Sequence, residues 1–220
     1  MGFCGKTRVG TDSIVLVGGP WHNPNAYLIS YYNYYIINRN GKKMTLNGVD
    51  TITNHSGGNL MTLIAANSLT DSLVRYHTGT ATITFEDGTT RTWHHSRKRV
   101  KYYSNGVLTN VITGMKSFSL LGLGGIEAWG VNRNGEPFYG QIVTPLLWAY
   151  TIGDQSNCTF GYPYSGEFIH RSIASGLKVT FGVDQTGSIV PYTPYVQNCP
   201  SYVKLDWTHA SKSREAIIAY

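Results

Sequence analysis

Short runs of alternating apolar and polar residues recur along most of this chain. In "TATITFEDGTTRTW", residues 80–93, Ala81, Ile83 and Phe85 fall on one side of an extended backbone and the threonines on the other. Asn-Gly and Asp-Gly sequences tolerate the positive φ angles of tight hairpin turns. Turn signals of this or a similar kind are "NRNG" at 38–41 and 132–135, "LNG" at 46–48, "EDG" at 86–88, "SNG" at 104–106 and "DQTG" at 184–187. The pattern predicts an antiparallel all-β fold.

The spacing of the runs predicts an antiparallel β-sandwich that forms one β-rich unit over residues 1–220. A subdivision would fall near residues 115–125. The turn in "IINRNGKKM" returns ninety-four residues later in "GVNRNGEPF", so two similar β halves are an alternative, although a favoured turn sequence explains the match by itself. Residues 59–77 begin with near-helical spacing, but the apolar stripe lapses at Asn67 and Ser68, so we expect two strands joined by a turn there.

Tyrosine and positive charge are the unusual features of the composition. The chain has 16 Tyr against 7 Phe, with four of them between residues 31 and 35. Such an excess suits wet β surfaces, interfaces and platforms for sugar rings, while strand propensity is the simpler and favoured explanation. The net charge of +6 fits an anionic partner such as nucleic acid, acidic polysaccharide or a membrane surface. The sequence has no run of about eighteen apolar residues, so no transmembrane segment is predicted.

Two places in the sequence carry candidate binding residues. In an extended "HHSRKRVKYY", residues 94–103, Arg97, Arg99 and Lys101 would share one face about 6.6 Å apart and could follow phosphates or uronates. A solvated or edge-protecting strand is the favoured explanation, because no second basic cluster lies nearby in the sequence. Trp21, in the polar stretch "GGPWHNPN", is a candidate for stacking on a sugar ring together with Tyr31. A plug over the core is the commoner role for such a tryptophan.

The sequence offers little support for catalysis or metal binding. The histidines are scattered apart from His94 and His95, which would point to opposite faces of a strand. The glycine-rich stretches match neither GxSxG nor GxGxxG. The cysteines fit no metal spacing, and a Cys158–Cys199 bridge with Cys4 left over is one hypothesis, which requires an oxidising compartment. We therefore predict no enzymatic activity, no metal and no cofactor.

A series of short motifs resembles a family of secreted or lipid-anchored β-rich proteins of Bacteroidetes bacteria. The motifs, in chain order, are "GKTRVG", "YYIINRNGKKMTLNGVDTITN", "DGTTRTW", "WGVNRNGEPFYGQIVTPLLW", "SGEFIH", "VTFGVDQTG" and "CPSYVKLDW". The resemblance spans nearly the whole chain. It implies export and an extracellular or outer cell-surface location, and Cys158 and Cys199 stand at matching places. It implies no activity and no binding residues. Members of the family carry an N-terminal signal, whereas "MGFCGKTRVG" lacks the apolar stretch of one.

Together these features favour a non-catalytic surface or extracellular protein with a structural or adhesive role. Its expected mode of action is self-association through Tyr-rich strand faces and edges. The alternative is a carbohydrate-binding module for acidic glycans. Nucleic-acid binding or a capsid-like role is a third hypothesis, which rests on the basic charge alone and which the cysteine pair disfavours.

Overall fold

The computed structural model describes residues 7–37, 41–151, 162–191 and 201–219. It is 71% strand and 5% helix, which confirms the predicted all-β class. The strands are β1 (Thr7–Val17), β2 (Ala26–Ile37), β3 (Lys43–Asn54), β4 (Ser68–Phe85), β5 (Thr90–Ser104), β6 (Val107–Gly114), β7 (Lys116–Phe118), β8 (Leu123–Val131), β9 (Pro137–Thr151), β10 (Ser165–Ser172), β11 (Ser175–Val183), β12 (Tyr202–His209) and β13 (Lys212–Ala219), and the helix is α1 (Leu60–Ala66). None of the helices in these ranges is long and apolar enough to cross a membrane.

All thirteen strands belong to one antiparallel sheet, so the arrangement of two packed sheets is not confirmed. The main order is β1-β2-β3-β4-β5-β6-β9-β10-β11-β12-β13. β8 lies end to end with β6 between β5 and β9, because each of these long strands pairs with β8 along one half and with β6 along the other. The pairings therefore close a circuit around β5, β6, β9 and β8.

The segment in which a subdivision was expected is an excursion within this sheet. β7 and a 3₁₀ turn at Ser119–Leu121 connect β6 to β8, and β7 pairs with β8. The chain thus leaves the strand position of β6 after Gly114 and returns to that position at Leu123 as β8. The fold continues through this segment without leaving the sheet for a second one.

The expectation of two strands over residues 59–77 is wrong at its start, because a short helix precedes β4. The Asn59 side chain accepts a hydrogen bond from the Thr62 backbone N–H, and the Asn59 N–H donates to the Thr62 hydroxyl, which closes a capping box. Asn67 has a φ of 44°, and its N–H bonds the Leu63 carbonyl. The lapse of the apolar stripe at Asn67 is therefore a helix C-cap.

The sheet buries one face more than the other. Side chains of paired residues in an antiparallel sheet share a face, so the strand register assigns every paired residue to one side. We call "inner" the face that carries Asn54, His95 and Phe138, which are 0%, 6% and 5% exposed. Other buried residues on the inner face are Ala26, Leu73, Ala81, Asn110, Ile112, Ala128 and Ile142. Most buried residues of the paired strands lie on this face, while Val100, Val107 and Ala149 are buried on the other one.

Candidate functional site

Basic side chains from two neighbouring strands meet on the inner face. β5 places Arg97, Arg99 and Lys101 there, and the register of the β4–β5 hairpin sets Arg75 directly opposite Arg99 and His77 directly opposite Arg97. We call these five residues the basic cluster. Like charges directly opposite one another destabilise a sheet. The arrangement therefore costs stability in the protein alone.

Edge protection does not explain these charges. β5 pairs with β4 on one side and with β6 and β8 on the other, so it is an interior strand of the sheet. Arg97, Arg99 and Lys101 face the buried side, and all three are only partly exposed. Charges that guard a sheet against aggregation lie on exposed outer strands. The basic cluster needs a different explanation.

Several buried nitrogen atoms of the basic cluster have no hydrogen-bond partner in the described part of the chain. They are Nε of Arg75, Arg97 and Arg99, and Nε2 of His77. The nearest carboxylate to Arg97 is that of Glu127, whose Oε2 lies 3.9 Å from Nε, beyond hydrogen-bonding distance. Buried polar atoms are nearly always paired in folded proteins, so these nitrogens are available as donors to an acceptor that binds beside them.

Burial and mutual repulsion shift the pKa values of the basic cluster in the direction that disfavours charge. Burial lowers the pKa of Arg75, and burial together with the charges of neighbouring arginines lowers the pKa values of Arg99 and Lys101. Burial, Arg99 and Arg97 lower the pKa of His77 to about 4. His77 is therefore neutral at pH 7, while the arginines and the lysine keep their charges.

Two carboxylates lie at the Arg97 end of the cluster. The Asp50 Oδ1 is 3.1 Å from Nε2 of His95, which reaches across β4 because residue 79 is glycine: a Cβ there would lie 2.6 Å from the His95 ring. Burial raises the pKa of Asp50, but the hydrogen bond from His95 and the nearby positive charges outweigh it and lower the pKa overall. Burial raises the pKa of Glu127. These acids bound the cluster on one side, and no carboxylate in the part of the chain that the structure describes forms an ion pair with Arg75, Arg99 or Lys101.

Trp21 lies against the basic cluster. The fully buried Asn54 donates hydrogen bonds from Nδ2 to the carbonyl oxygens of Trp21 (2.7 Å) and Gly58 (3.0 Å), which fixes the loop between β1 and β2. The Trp21 ring centroid is 5.3 Å from Cζ of Arg75, in a cation–π contact. Tyr31 is 49% exposed on the outer face, paired with Val49. The structure brings Trp21 to the basic residues and leaves Tyr31 on the other side of the sheet.

A depression of about 450 Å³ lies beside β8 and β9. Phe118, Trp129 and Tyr139 are among its mostly apolar lining residues. Nζ of Lys116 is 5.8 Å from the Trp129 ring centroid. This depression offers aromatic surface with little charge, in contrast to the basic cluster.

Cys4, Cys158 and Cys199 lie outside the described residues, so the proposed bridge stays a prediction. Within the described ranges, no group of three or more His, Cys, Asp or Glu residues could hold a metal ion.

Arg75 and His77 complete the cluster, although neither residue was among the predicted binding residues. The "EDG" turn at 86–88 carried the necessary signal, because residues equally distant from the centre of a hairpin face each other. Arg75 and Arg99 are each twelve positions from Asp87, and they are indeed paired. Arg75 and His77 are thus distant from Arg97 and Arg99 in the sequence but adjacent to them across the hairpin.

Comparison with known proteins adds no identification. No protein-family model matches the chain, and neither a curated protein nor a solved structure is significantly similar to it.

Proposed function

We propose that this is a non-catalytic binding protein whose basic cluster holds the oxyanion groups of an acidic glycan. The observation that carries the proposal is the pair of arginines, Arg75 and Arg99, set directly opposite each other on the buried face without a carboxylate between them. An extracellular or cell-surface location, which the family resemblance implies, would bring this face to such glycans.

An oxyanion supplies what the cluster lacks. A guanidinium presents planar, forked donors that match the oxygens of carboxylate, sulfate and phosphate. An anion between β4 and β5 would accept hydrogen bonds from the unpaired nitrogens and convert repulsion between Arg75 and Arg99 into attraction to a shared partner. Hydrogen bonds of this charged kind contribute about 1.5–3 kcal/mol each.

The surroundings of the cluster favour a glycan over a nucleic acid. Asp50 and Glu127 end the positive row at Arg97, whereas a nucleic-acid strand needs a longer basic groove that follows successive phosphates. Trp21 beside Arg75 offers an aromatic face on which the apolar side of a sugar ring can stack. One or two acidic sugars fit this arrangement better than an extended phosphodiester chain.

Isothermal titration calorimetry with tetragalacturonate and with inorganic sulfate tests the proposal. The double variant Arg75→Gln/Arg99→Gln should weaken binding of the oligosaccharide at least tenfold, which corresponds to about 1.4 kcal/mol. The matched control is Lys178→Gln/Lys204→Gln, which removes the same charge from side chains that already have carboxylate partners. Its affinity should stay within twofold of the native protein.

Three outcomes would overturn the proposal. The first is the absence of binding to any of these anions. The second is equal or tighter binding of tetrathymidylate, which would favour nucleic acid. The third is a loss of tetragalacturonate binding in Trp129→Ala with no loss in the arginine variant, which would move the site to the apolar depression.

A further inference from the structure

The two outermost strands of the sheet differ in their exposed side chains. In the described ranges, β1 and β13 each pair along one side only. β1 exposes Ile14 and Leu16 on the inner face at 65% and 46%, and Val9 and Val15 on the outer face at 57% and 43%. A long outer strand with apolar side chains on both faces is a ready template for pairing with another strand.

β13 carries the features that block such pairing. Lys212, Arg214 and Glu215 are exposed in its first half, and Nζ of Lys204 on β12 lies 2.7 Å from Oε2 of Glu215. Charged side chains on an outer strand oppose the approach of a second sheet, because pairing would remove them from water. β13 thus exposes several charged side chains along its first half, whereas β1 exposes Asp12 between apolar side chains.

Strand direction decides which partner suits β1. Each step across the sheet reverses the strand direction, and ten steps separate β1 from β13 along the main order, so these two strands run in the same direction. Copies joined β13 to β1 by translation would pair in parallel. Two copies related by a two-fold axis would pair β1 with β1 in the antiparallel manner of every other pairing in the sheet.

We infer that β1 pairs with β1 of a second copy of this chain about a two-fold axis, so that one sheet runs through both copies. An axis at Ser13 sets Val9 opposite Val17 and Thr11 opposite Val15, which are favourable cross-strand pairs of β-branched residues. The same register keeps Asp12 away from its symmetry mate and places it opposite Ile14.

The exposed surface of the chain is large enough for such a dimer. The accessible area is 13074 Å², whereas a compact monomer of this mass has about 10,000 Å². A stable interface buries roughly 800 Å² on each partner, and a β1–β1 interface would cover part of this exposed surface. The inference concerns a different part of the molecule from the basic cluster and does not depend on the proposed function.

Sedimentation velocity over a wide concentration range tests the inference. The native chain should sediment as a dimer, and Val15→Lys, which places a charge on the β1 edge, should weaken dimerisation at least tenfold. Ile218→Lys is the matched control, because Ile218 is exposed to a similar extent on β13, at 47% against 43% for Val15. It should leave the dimer intact.

Hydrogen exchange of the native chain gives a second test that requires no variant. Backbone amides of β1 should exchange more slowly at high concentration than at low concentration, while those of β13 should not change. A native chain that is monomeric at every concentration, a Val15→Lys variant that stays dimeric, or a dimer lost only in Ile218→Lys would each overturn the inference.

Discussion

Two sets of basic side chains lie on opposite faces of the same sheet. On the outer face, Nζ of Lys178 is 2.6 Å from Glu167 Oε2, and Nζ of Lys204 is 2.7 Å from Glu215 Oε2. On the inner face, no ion pair within the described ranges involves Arg75, Arg99 or Lys101, and the charges that act on Arg99 and Lys101 include those of neighbouring arginines. The first set is neutralised by the protein and the second is not.

The pKa shifts of Lys204 on the outer face and Lys101 on the inner face follow this difference. The hydrogen bond with Glu215 raises the pKa of Lys204, whereas burial and the charges of Arg75 and Arg99 lower the pKa of Lys101. An exposed ion pair contributes little to stability and needs no ligand. Half-buried cations without counterions reduce stability, and this cost is the physical basis of the proposed oxyanion site.

The largest effect should follow from giving the inner face its own carboxylate. Arg75→Glu would place an acid directly opposite Arg99, as Glu167 lies beside Lys178. We expect at least a hundredfold loss of tetragalacturonate binding, because the ligand loses one cation and must compete with a built-in anion. Calorimetry measures this loss. Affinity within threefold of native would show that the arginine pair does not form the site.

The pH dependence of stability should reveal His77. Its pKa in the folded protein is about 4, below that of an unfolded histidine near 6.5. The unfolded chain therefore binds more protons between these values, and stability falls as the pH is lowered from about 6.5 to 4. After allowance for partial exposure, we expect a loss of roughly 1–2 kcal/mol. Urea unfolding across this range should show the loss, and His77→Gln should remove it.

Bound tetragalacturonate should change the pKa of His77. An anion bound beside His77 favours its protonated form, so saturating tetragalacturonate should raise the pKa of His77 above about 4. Titration followed by NMR of the histidine ring measures the shift. An unchanged or lowered pKa in the complex would place the anion away from His77.

The smallest expected effect is a change in the free energy of unfolding that has opposite signs for substitutions on the two faces. Arg99→Met keeps the apolar part of the side chain and removes its repulsion with Arg75, so the free energy of unfolding without ligand should rise by about 0.5 kcal/mol. Lys204→Met removes an exposed ion pair and should lower it slightly. Urea denaturation of both variants makes the comparison, and destabilisation by Arg99→Met would contradict it.

Local patterns made much of this structure predictable from sequence. The "EDG" turn is formed as expected, with Gly88 at a φ of 79° and the Asp87 carboxylate accepting hydrogen bonds from the Thr89 N–H and hydroxyl. The alternation in β5 correctly placed Arg97, Arg99 and Lys101 on one face. Both features depend on residues within one hairpin, where sequence distance and spatial distance are related.

The other features of the structure depend on long-range contacts, which local sequence patterns do not reveal. The end-to-end placement of β6 and β8 depends on the excursion between them, which periodicity does not reveal, and the sandwich arrangement suggested by the spacing of the runs is not confirmed. Alternation assigns residues to a face but does not say which face is buried, and polar residues occupy both faces of β5. The approach of Trp21 to Arg75 requires the buried Asn54, thirty-three residues away from Trp21 in the chain.

NMR of the arginine side chains, with sulfate added at constant ionic strength, examines the basic cluster itself. The Nε–Hε signals of Arg75, Arg97 and Arg99 should shift together and saturate with one dissociation constant. Arg133, which is paired with Asp87, and the exposed Arg214 serve as internal references and should barely shift. Equal, non-saturating shifts for all arginines would contradict an oxyanion site on the inner face.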